Sequence, residues 1–123
     1  MEHLGALVTE ELNAKWRELV AAGKAWWMPG MLSLPPQADR CQRDGQMMVG
    51  RLPDLEDPAS LGCLLALVRE AWHDETIGTA ATREADGQRG WVIEAWDPLS
   101  PVNGIGPYCT EAEALVAALE AAP

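Results

Sequence analysis

His73, Asp74 and Glu75 place an imidazole and two carboxylates in consecutive positions after an apolar run. By type these are metal ligands. Consecutive side chains at a helix end diverge, however, and do not meet on one ion. A solvated helix end is the simpler reading. A nucleophilic site would need a Ser or Cys beside a base and an orienting group. The chain has three serines, Ser33, Ser60 and Ser100, and none stands in a nucleophile elbow. Cys63 and His73 are ten residues apart on one predicted helix, too far to share a hydrogen bond. Gly104-Ile105-Gly106 lacks the Lys and the helix start of a phosphate loop. No catalytic residue, metal site or cofactor is expected, and a carboxylate pair assembled only by the fold is the remaining enzymatic alternative.

Binding chemistry is better represented. The chain has six Trp, one Tyr and no Phe. Trp joins a large apolar body to an N–H donor, which suits interfaces and ligand sites as well as cores. Trp26, Trp27, Trp91 and Trp96 fall on predicted strands, where a base can stack on an indole. Arg51, Arg69, Arg83 and Arg89 can pair with phosphate. The candidate ligand-binding set is Trp26, Trp27, Arg51, Arg69, Arg89, Trp91 and Trp96. For any one of them, a core Trp or a solvated Arg is the plainer reading. Asp54, Glu56 and Asp57 read as turn and cap residues, or as an acidic surface that imitates a nucleic-acid backbone.

The net charge is −10, from 19 acids and 9 bases. Direct DNA binding is therefore not expected, because it needs a positive surface. No apolar run approaches the ~20 residues of a membrane span, so no membrane partner is expected. The first residues lack a basic stretch followed by a long apolar one, and a bacterial cytoplasm is the expected location. Cys41, Cys63 and Cys109 form no Cys-x-x-Cys and are expected as thiols.

The elements that must position these residues follow from pattern. Thr9 can cap a first helix striped by Leu12, Trp16, Leu19 and Val20, or the helix begins earlier, since Leu4 and Val8 extend the stripe; Gly23 ends it. Pro29-Gly30 suits a type II turn between two extended pieces. Pro35-Pro36 stops regular structure, Gln37 to Gly45 reads as a loop, and Gln46 to Leu52 as a strand. A second helix runs from about Pro58 to Trp72. Thr76 to Arg83 and Trp91 to Trp96 form a second hairpin around Asp86-Gly87. Thr110 to Glu113 fits a capping box opening a last helix striped by Ala112, Leu115, Val116 and Leu119. The predicted fold is a single α+β domain over 1–123, ordered α-β-β-α-β-β-α, with a mainly antiparallel sheet packed with helices.

From Ala59 to Val68 the second helix carries one polar side chain, Ser60. A helix apolar nearly all round is expected to be buried on more than one side. Leu61, Leu64, Leu65, Val68 and Trp72 are assigned to the sheet. Ala59, Cys63, Ala66 and Leu67 then need a second cover, a terminal helix of the same chain or a neighbouring subunit. A homo-oligomer with those four residues at its interface is the expectation.

Trp26-Trp27, Pro53-Asp54-Leu55-Glu56-Asp57-Pro58-Ala59, Gly90-Trp91-Val92 and Thr110-Glu111-Ala112-Glu113-Ala114-Leu115 occur in that order. The layout resembles small phage proteins of the α-β-α sandwich type. The resemblance implies a non-enzymatic phage or prophage accessory protein that counteracts host defence by binding. Its most concrete form is an oligomeric sponge for a nucleotide immune signal. The alternative is an acidic inhibitor of a host immune or DNA-binding protein.

Overall fold

The computed structural model describes residues 4–34, 38–43, 48, 51–83, 87 and 89–123, with 4–9 as backbone alone. Its elements are helix α1 (Leu4–Ala21), helix α2 (Pro58–Trp72), strands β1 (Gly78–Arg83) and β2 (Arg89–Glu94), a 3-10 turn (Pro101–Gly104) and helix α3 (Glu111–Ala121). The chain divides into two compact units, Met1–Leu64 and Leu65–Pro123. The division falls inside α2. The fold is α+β, with the order α-α-β-β-α among the described residues.

In the first unit Leu12, Trp16 and Leu19 are the buried stripe of α1. Trp16 meets Trp27 edge to face, with centroids 6.2 Å apart and planes at 80°. The helix ends as Gly23 predicts. Gly23 takes φ +75°. Its N–H bonds to Val20 O, and the Lys24 N–H to Leu19 O. This paired closure satisfies two carbonyls the helix would otherwise leave open. Pro29-Gly30 forms the expected turn, with Gly30 at φ +100° and the Met31 N–H donating to Met28 O.

Among the described residues the first hairpin of the predicted order does not form a ladder. Met31 to Leu34 is instead a short extended segment with one bridge on each side, Leu32 to Arg40 and Ser33 to Pro53. The Ser33–Pro53 pair shows why pairing is possible there at all. Its two bonds run from Leu34 N to Leu52 O and from Asp54 N to Leu32 O. Pro53 is thus at a position that needs no N–H, and its missing donor costs nothing. Pro35-Pro36, Gln37, Asp44 and Gly45 of the predicted loop, and most of the predicted strand over Gln46 to Leu52 lie outside the described residues.

Helix α2 begins as its sequence implies. Asp57 Oδ2 accepts from the Ser60 N–H at 3.0 Å, with Pro58 at the first helical position, where an N–H is not needed. Its buried face differs from the predicted one. Ser60, Leu64, Leu67 and Val68 are buried, whereas Leu61, Leu65 and Trp72 are half-buried. The face turns because the one polar side chain between Ala59 and Val68 points inward: Ser60 Oγ accepts from the Leu32 N–H at 2.9 Å. Of the four expected interface residues, Leu67 is 1% exposed and so covered within the chain. Ala59 is exposed, and Cys63 and Ala66 are half-buried.

The helix buried on several sides is α3. Ala112, Ala114, Leu115, Val116, Ala118 and Leu119 are all buried. Thr110 caps it, its Oγ1 accepting from the Glu113 N–H at 3.2 Å. The same hydroxyl donates to Glu113 Oε1, also at 3.2 Å. At the other end Trp72 Nε1 donates to Ala118 O at 2.8 Å. β1 and β2 pair antiparallel, Gly78 opposite Glu94 through Arg83 opposite Arg89. Tyr108 extends the sheet by exchanging both backbone bonds with Trp91. Gly106 permits this approach, since a Cβ there would lie 2.7 Å from Trp91 O. Of the turn between β1 and β2, Gly87 is described, at φ +85°; Glu84, Ala85, Asp86 and Gln88 lie outside the described residues.

Candidate functional site

The loop that follows β2 is built as a unit. The Ala95 N–H donates to Asn103 Oδ1 at 2.8 Å, and Asn103 Nδ2 donates to Asp97 O at 2.8 Å. Asp97 Oδ1 accepts from the Leu99 N–H at 2.9 Å, and Asp97 O also accepts from the Ser100 N–H. Asn and Asp suit this work because their short side chains mimic a backbone turn. Val102 is fully buried and anchors the end of the loop.

A second clamp comes from the segment after α2. The Trp96 N–H donates to Thr76 Oγ1 at 3.0 Å. That hydroxyl donates to Asp74 Oδ1 at 2.6 Å, which also accepts the Thr76 N–H at 2.9 Å. The two Thr76 bonds hold the Asp74 carboxyl below its ordinary range, so it is charged at neutral pH. Asp74 therefore orients Thr76. Its neighbour His73 takes φ +52°. The His73 N–H bonds to Glu70 O and the Asp74 N–H to Arg69 O. His73 thus closes α2 in the position glycine usually fills. Among the described residues no group of three His, Cys, Asp or Glu is placed to hold a metal ion.

What the loop displays is apolar. Trp96 is 87% exposed and Leu99 is 88% exposed. Glu75, Glu94, Asp97 and Pro98, close by along the chain or through the Thr76 clamp, are exposed as well. The arrangement is two large apolar side chains in an acidic surround, on backbone fixed by its own hydrogen bonds.

The seven predicted ligand-binding residues are divided between the two units. Trp26, Trp27 and Arg51 belong to the first; Arg69, Arg89, Trp91 and Trp96 belong to the second. Trp27 is buried against Trp16, and Trp26 is half-buried. Arg51 Nη1 bonds to Asp39 at 2.7 Å. Arg69 Nε donates to Ile77 O at 2.7 Å. Arg89 and Trp91 share one face of β2. Sequence reasoning passed over Leu99. The available signal was a lone Leu between Pro98 and Pro101, outside any apolar period.

Cys41, Cys63 and Cys109 are thiols, none of them in a disulfide. Cys63 Sγ donates to Pro29 O at 3.2 Å, and burial, with smaller effects from Cys41 and Asp57, pushes its thiol up. A thiol so shifted is a poorer nucleophile at neutral pH. Among the described residues no helix is long and apolar enough to cross a membrane. Comparison of the chain with protein-family models, with curated proteins and with solved structures gives no match.

Proposed function

We propose that this chain is a non-enzymatic binding protein whose working surface is the loop carrying Trp96 and Leu99. The partner is a protein with an apolar pocket in a basic surround. The observation that carries this reading is the near-complete exposure of both side chains on hydrogen-bonded backbone. Large exposed apolar groups mark interaction sites when they cluster, and Trp is enriched among residues that dominate binding energy. An indole buries ~200 Å², worth about 5 kcal/mol at ~25 cal/mol/Å². Association costs about 4–15 kcal/mol, so the apolar pair alone gives weak binding. The acidic rim supplies steering and selects a basic partner. The phage resemblance supplies a setting, in which the partner is a host immune or DNA-binding protein.

The test is capture from bacterial lysate with tagged wild-type protein beside Trp96→Ala, Leu99→Ala and the double variant. The expected result is a stoichiometric basic partner retained by wild type and lost by the double variant. Equal retention by the double variant, or no stoichiometric partner, rejects the reading.

A further inference from the structure

The hairpin holds a second constellation. Arg83 of β1 stands directly opposite Arg89 of β2. Opposed residues in an antiparallel pair have Cα atoms ~5 Å apart, and like charges so placed repel. Both side chains are exposed. Neither has a hydrogen bond or ion pair among the described residues, although the chain has 19 acids for 9 bases. Arg40, by contrast, is bonded to Asp57, Arg51 to Asp39 and Arg69 to Ile77 O.

Side chains two apart on a strand share a face. Trp91 therefore lies beside Arg89 on the face that also carries Arg83 and Ala81. Ala81, directly opposite Trp91, is small and exposed, and Trp91 itself is half-buried. The far end of this face is occupied: Ile93 is fully buried and Thr79 Oγ1 donates to Glu111 of α3. The near end is left with two guanidiniums and an indole. The Trp91 backbone is pinned by both bonds to Tyr108.

We infer that this end of the hairpin binds a nucleotide-class ligand, its phosphate between Arg83 and Arg89 and its base against Trp91. Guanidiniums meet phosphate with paired, charge-assisted bonds, and an indole face accepts any base. The overall charge of −10 opposes this less than it suggests, because carboxylates beyond ~8 Å are screened at physiological salt; the acids nearest in sequence, Glu84 and Asp86 between the two arginines, are the ones that weaken phosphate binding.

Equilibrium dialysis with labelled ADP tests the inference, with pyrophosphate and adenosine as competitors. The expected result is saturable ADP binding that weakens about tenfold in Arg83→Gln or Arg89→Gln and falls with added KCl. Pyrophosphate should compete less well than ADP, and adenosine poorly. Trp96→Ala should bind ADP as wild type does, which separates this site from the protein-docking loop. Absence of saturable ADP binding at low salt overturns the inference. So does undiminished binding by both arginine variants, or pyrophosphate competing as well as ADP.

Discussion

Replacing Ser60 by alanine removes the acceptor for the Leu32 N–H, a bond of 2.9 Å. A buried donor left without a partner costs about 1–3 kcal/mol. Ser60→Ala should therefore lower stability by that amount in chemical denaturation, although alanine is the better helix former. A loss under about 0.5 kcal/mol would show that Leu32 finds another acceptor. His73 makes the opposite case. It holds φ +52° where a side chain costs roughly 1 kcal/mol and glycine nothing. His73→Gly should raise the melting temperature, and a lowered one would contradict this account. Neither residue's role was legible in the sequence. Ser60 reads as the odd polar position in an apolar run because its partner lies 28 residues away. His73 reads as a possible ligand because its type says nothing of its backbone angle.

Elements whose ends are set locally were legible. Gly23, Pro29-Gly30, Asp57-Pro58 and Thr110 each act on residues within a few positions, and each does what its chemistry implies. The first hairpin was not legible as built, since Arg40 and Pro53 reach Leu32 and Ser33 from separate stretches of chain. The start of α2 also gives a pH dependence. The Asp57 carboxyl is held below its ordinary range chiefly by its hydrogen bond with Arg40, against the opposing effect of burial, and further by the Ser60 N–H. Its folded pKa is below its unfolded one. Its stabilising contribution is therefore present above the ordinary carboxylate range, about 3.9, and is lost as pH falls through the folded value. Denaturation between pH 6 and pH 3 should show wild type losing stability at the acid end. Asp57→Asn, less stable at pH 6, should lose less; parallel losses would exclude Asp57 as a source. At the other end of α2, Trp72→Phe removes the donor to Ala118 O and should cost about 1–2 kcal/mol. Trp72→Leu without any loss would exclude both the bond and the packing.

For the molecule as a whole, the sequence indicated α+β content and a tryptophan-rich interior but not which indole stays outside. Of six Trp, Trp96 alone is exposed. Exposure depends on what the rest of the chain folds against, which no local pattern encodes. Iodide should quench Trp96 most, and Trp96→Phe should remove the larger part of the quenching while stability shifts by less than about 0.5 kcal/mol, leaving a smaller part from the half-buried Trp26, Trp72 and Trp91. Undiminished quenching in this variant would show that Trp96 is not the exposed indole. The small stability change matters because it separates a residue kept for contact with something else from one kept for folding.

The clamps on the 95–104 loop also bear on time. Asn103, Asp97 and Thr76 hold the backbone beside Trp96 before any partner arrives. A surface already in its binding shape does not wait for rearrangement. Observed association rates should then rise in proportion to partner concentration without reaching a plateau. Loosening the clamp with Asn103→Ala should introduce that plateau, while leaving Trp96 and Leu99 themselves unchanged.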